Sequence, residues 1–143
     1  QARAGLVGQK KLISWIQAPT VLSERKSLYL LMALPKLTTI GDLEIEVMDL
    51  LTSLSAPELT TVGDDLVVAY LPALSWLALP SLSEVGGELR IHKNDALAQC
   101  LVTPIVDQIM AAGGIGGDTT ITDNLEGCTC QEVDGALEAT CPP

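Results

Sequence analysis

The residues that could do chemistry are few, and their spacing says what chemistry is open to them. Cys100, Cys128, Cys130 and Cys141 are the only thiols. A thiolate can attack a carbonyl or hold a metal, but three cysteines crowded near the end of a small chain point to an oxidising compartment and to disulfides. Four cysteines allow three pairings. Cys128 and Cys130 face the same side of an extended segment and should take separate partners, so the first expectation is Cys100–Cys128 with Cys130–Cys141. Cys-x-Cys lacks the second pair that a zinc site needs, and His92, the single histidine, is remote from it. No motif places a nucleophile beside His92, so no triad is indicated; it should sit in solvent next to Arg90 and Lys93. Asp64, Asp65, Asp118, Asp123 and Asn124 offer oxygens, but their spacing fits turns better than a calcium loop. Glu44 and Glu46 lie outward on one strand, without the cleft that a glycosidase sets between two acids. The chain reads as a non-enzyme with no catalytic residue, metal or cofactor.

What must position these groups is a repeat. Leu43, Leu66 and Leu89 stand one period apart, as do Leu51, Leu74 and Leu97, then Leu54, Leu77 and Cys100. A Pro-x-Leu-x-x-(Val/Ile)-Gly phrase recurs from Pro35, Pro57 and Pro80. A period of about 23 residues is the mark of stacked turns that bury their apolar faces against one another. The fold class expected is mostly β: a right-handed parallel β-solenoid. Its short strands are Leu43-Glu44-Ile45, Leu66-Val67-Val68 and Leu89-Arg90-Ile91, with the leucine of each pointing inward. The glycines before each strand let the chain turn into it.

Residues 35–98 form the regular turns. Residues 6–34, where Leu12, Leu28 and Leu43 lie closer together, read as two abbreviated turns. Thr103-Pro104 signals a helix over 103–112, with Thr103 as N-cap, Pro104 at the first helical position and Gly113-Gly114 as the stop. Its apolar stripe is Ile105, Val106, Ile109 and Met110. Residues 118–123 repeat the register of the strand before them and make a last strand. The domain therefore spans 1–127, and residues 128–143 are a disulfide-tied tail or linker.

The phrase Leu-Pro-Ser-Leu-Ser-Glu-Val-Gly-Gly-Glu-Leu-Arg-Ile (79–91) and the Cys100…Gly-Gly-Ile-Gly-Gly…Cys128-Thr-Cys130 segment resemble the receptor L-domain family, a leucine-rich-repeat-like superfamily, most closely its bacterial secreted type. The resemblance covers roughly residues 33–130. It implies a β-helical fold; together with the cysteines it leads to the expectation of a secreted, extracellular or cell-surface setting, and the start at Gln1 to that of a mature chain whose signal peptide, if its precursor had one, is already gone. Asn94 matches the family-like asparagine position; Met48 and Leu71 replace it in the other turns.

Charge is divided along the chain. Residues 1–36 hold six basic residues and one acid; the rest hold only Arg90 and Lys93 against 17 acids, within a formal net charge of -10. Stacked turns map sequence onto axis, so one end should be positive and the other negative. An acidic surface of this kind excludes a nucleic-acid partner. No apolar run is long enough for a transmembrane segment. Val67, Tyr70 and Trp76, with Met48 and Leu71 near them, are expected to form an exposed apolar patch, and such patches mark interfaces. Two functions follow. The first is a non-enzymatic structural protein of the cell surface or extracellular space that self-associates, head to tail, into a filament. The second is an adhesion module of receptor L-domain type that binds a peptide or glycan through its sheet face.

Overall fold

The computed structural model describes residues 9–12, 31–33 and 36–142, the first two segments as backbone strands. The chain alternates between two parallel sheets. The larger contains β1 (Gln9–Leu12), β3 (Thr39–Glu46), β5 (Thr61–Val62), β6 (Leu66–Ala69), β8 (Glu84–Val85), β9 (Leu89–Ala98), β10 (Gly114–Ile115) and β11 (Thr119–Leu125). The smaller contains β2 (Leu31–Ala33), β4 (Ser53–Ser55) and β7 (Trp76–Ala78). One helix, α1 (Gln99–Ala111), follows β9, and a two-stranded antiparallel hairpin, β12 (Thr129–Val133) and β13 (Ala136–Thr140), closes the chain.

The leucine columns set the register. Leu43 pairs with Leu66 and Leu66 with Leu89, while Ile45, Val68 and Ile91 align two residues on. In the smaller sheet Leu54 pairs with Leu77. These side chains, with Leu51, Leu74, Leu97, Leu59, Leu82, Val62 and Val85, form one core and are almost fully buried. Each buried leucine contributes roughly 1.5–3 kcal/mol through area removed from water. At the N-terminal side β1 pairs directly with β3, Leu12 beside Leu43; the Leu28 position lies outside the described residues.

Two features fix how closely the rungs approach. Before β9 and β11 a glycine lies on a glycine of the preceding rung: a Cβ on Gly86 would strike the Gly63 carbonyl oxygen, and one on Gly116 the Gly86 oxygen. The side chain is excluded by the neighbouring backbone. At the same register step of each rung, Val47 and Tyr70 just past the ends of β3 and β6 and Lys93 and Asp123 within β9 and β11 occupy the left-handed region, with φ between 56° and 60°. None is glycine, and a β-branched valine there is uncommon, yet all four rungs turn the same corner.

The next position in each rung points inward: Met48, Leu71, Asn94 and Asn124, all buried. Asn94 Nδ2 donates to the Val68 carbonyl and to Asn124 Oδ1, and Asn94 Oδ1 accepts the Leu71 N–H. Asn124 Nδ2 donates to the Ile91 carbonyl and to Gln99 Oε1. Each amide thus closes the corner of the rung before it. A buried amide so fully paired costs little, whereas the same groups left unpaired would cost about 1–3 kcal/mol each.

The helix starts earlier than Thr103-Pro104 indicates. It runs Gln99–Ala111 from an extended Ala98 that provides no side-chain cap, and Pro104 lies inside it. Strand β9 passes straight into the helix, so no cap residue marks the start. The Thr103 hydroxyl donates instead to the Gln99 carbonyl one turn back. The buried stripe is Leu101, Val102, Ile105 and Ile109; Met110 is exposed.

The disulfides are Cys100–Cys130 and Cys128–Cys141, not the expected Cys100–Cys128 and Cys130–Cys141. The hairpin explains the exchange. Thr129 pairs with Thr140 and Cys130 with Ala139, a register that sets Cys141 opposite Cys128 and leaves Cys130 for the helix. The turn is Asp134-Gly135, with both residues at positive φ, as a two-residue type I′ hairpin turn requires.

Candidate functional site

The five residues expected to form one exposed patch do not meet. Met48 and Leu71 are buried in the corner column beside Asn94. Val67 is 3% exposed. It does point away from the core, but it lies between Glu44 and Arg90 in the register, and their longer side chains flank it. Tyr70 is 48% exposed at the left-handed corner and meets the His92 ring edge-on at 5.4 Å. Trp76 belongs to the other sheet, beside Ser53. The corner at Tyr70 turns the chain between them, so one sequence neighbourhood is divided over two surfaces.

Trp76 has a different setting. It borders an open apolar groove of about 330 Å³ between β7 and α1, lined by Trp76, Pro80, Leu101, Pro104 and Ile105 and by Leu137 of the hairpin. Gln108 Nε2 crosses the floor and donates to the carbonyls of Leu79 and Leu82, satisfying backbone beyond the end of β7. The groove exists because α1 replaces a further strand in the smaller sheet, and the Cys100–Cys130 disulfide ties the hairpin over the start of that helix. Its lining was missed in the sequence because three separate segments supply it. The signals were present: Trp76 falls on an outward register position, and Val133-Asp134-Gly135-Ala136 is a hairpin phrase.

The polar residues weighed for chemistry are engaged structurally. His92 is half-buried against Tyr70. Asp65 Oδ1 accepts the Glu88 N–H, and Asp42 Oδ1 accepts the Asp65 N–H. Lys93 Nζ lies 3.1 Å from Asp123 Oδ2, and the hydrogen bond and charge of that carboxylate raise the lysine pKa above its usual 10.5. Among the described residues no three His, Cys, Asp or Glu side chains gather as a metal set, and all four cysteines are bonded. No helix among them is long and apolar enough to cross a membrane.

The end of the larger sheet differs from its interior. All four residues of β6 are buried, whereas in β11 Thr119, Thr122 and Asp123 are exposed and Thr120 and Ile121 only half-covered. β11 has β9 on one side, and among the described residues no strand pairs its other edge. Likewise, among the described residues, β1 pairs only with β3. No family model, no curated protein and no solved structure matches this chain.

Proposed function

We propose that this chain is a non-enzymatic structural protein of the extracellular space or cell surface, a right-handed parallel β-solenoid of receptor L-domain type that joins head to tail with copies of itself. The observation that carries this reading is the last rung, β11, which leaves half-covered apolar side chains and, among the described residues, a strand edge that no other strand pairs, in the acidic part of the chain. An open edge is a template for another strand, and two different ends joined by one operation extend without closing. The two disulfides suit an oxidising setting. Light scattering across a concentration series, with negative-stain imaging, tests it: particles that lengthen with concentration are expected, and a monodisperse monomer throughout rejects it.

The Trp76 groove favours a second reading, a binding module for a peptide or glycan. Apolar concavity with an aromatic rim is the usual form of such sites. A peptide and glycan array probed with the wild-type chain and with Trp76→Ala tests this reading. Retained thermal stability with lost binding supports it; equal binding by both rejects the groove.

A further inference from the structure

The joint between copies can be given a register. Rung after rung, the residue just before the inward leucine position is acidic: Asp42, Asp65, Glu88 and Asp118. Two bonds recur along this column. The carboxylate of one rung accepts the N–H of the next, as Asp42 does from Asp65 and Asp65 from Glu88. The N–H of the following residue donates to the next rung's carbonyl: Leu43 to Asp65, Leu66 to Glu88 and Leu89 to Asp118. At Asp118 and Thr119 both halves of the pattern reach the open edge. On the other side of the sheet the outermost position of this column, among the described residues, is Lys11, the register partner of Asp42. The two edges are thus complementary in sign at the same column, and β1 also carries Lys10.

We infer that β1 of a second copy docks in parallel on the open edge of β11, with its Lys11 at the position next to Asp118 and its Leu12 at the position next to Thr119. The Lys11 N–H then takes the Asp118 carboxylate and its carbonyl takes the Thr119 N–H, repeating at the joint the two bonds made inside each copy. The Lys11–Asp42 neighbourhood within one molecule is reproduced as Lys11–Asp118 between two. This register rests on the head-to-tail reading, and the following experiment separates the two.

The full chain is compared with Lys11→Glu, Asp118→Lys and Thr119→Pro by sedimentation velocity and negative stain, with far-UV circular dichroism and thermal melts to show that each variant folds. Each charge reversal sets like charges together and should raise the concentration needed for assembly at least about tenfold, since like charges side by side at an interface cost about 1.4 kcal/mol or more, the equivalent of that factor. An equimolar mixture of Lys11→Glu and Asp118→Lys restores complementary joints and should recover wild-type assembly in alternating order. Thr119→Pro removes the outward donor and should stop growth. Wild-type chains that assemble while the reversals assemble equally well, or a mixture that fails to recover, overturn this register and leave head-to-tail association standing. A wild type that never assembles overturns both.

Discussion

The inner rung β6 and the last rung β11 carry the same pattern of positions with different consequences. In β6 the inward Leu66 and Val68 are buried with rungs on both sides, and the small outward Val67 and Ala69 lie between the longer Glu44 and Arg90, and Glu46 and His92. In β11 the matching column holds Thr119, and Ile121 takes the place of Val68 and Ile91 but is only partly buried. Burial here is a property of having two neighbours. A residue's worth is set by its rung's place in the stack as much as by its type.

Contact between rungs is tightest where glycine meets glycine, and substitutions there should cost most. Gly86→Ala drives a Cβ into the Gly63 carbonyl and should cost about 3 kcal/mol or more. Gly114, at φ +89° with no atom within 4 Å of an added Cβ, should lose only about 1 kcal/mol on change to alanine. Urea midpoints of the two variants check the contrast, and equal losses would show that rung contact is not the cause. Next in size, Leu66→Ala should cost about 3 kcal/mol through the cavity it opens, against about 1 kcal/mol for Ile121→Ala at the edge. Calorimetry should show that difference as a clear gap in melting temperature.

Replacing Asn94 by leucine, the residue already present at position 71, tests the corner column. It strips partners from the Val68 carbonyl, the Leu71 N–H and Asn124 Oδ1 and should cost about 2 kcal/mol; amide exchange at Leu71 should quicken with it. The smallest effect belongs to the exposed pair Lys93–Asp123. Because the folded lysine pKa is raised, the pair's contribution is present at neutral pH and is lost as pH rises through the range above 10.5. Asp123→Asn should remove that dependence, read as a shift in the lysine Nζ titration by NMR, with little change in melting at pH 7.

Much of the stacking was legible because it depends on leucine spacing, a signal that survives without knowledge of neighbours. Leu43, Leu66 and Leu89 align as their positions suggest, and Thr119 to Asn124 repeat the register of the strand before them. What failed depended on partners distant in sequence. Val67 alternates outward but is shaded by flanking side chains. The helix start was hidden because Ala98 supplies no cap, while Thr103-Pro104 imitates one. The disulfide exchange follows from the Asp134-Gly135 turn, a short-range signal that outweighs the reasoning from cysteine positions alone. The candidate groove needed β7, α1 and the hairpin at once, and no single segment announces it.

The glycine contacts also bear on how such a chain can change length. Backbone lies so close to backbone there that adding one residue with a side chain at Gly86-Gly87 would wedge neighbouring turns apart. Duplication of an entire unit, at the 23-residue spacing that separates Asp42 from Asp65 and Asp65 from Glu88, would present each neighbour with a surface it already fits. Lengthening by tandem copies of a whole unit is therefore the change this stacking accommodates with least disturbance.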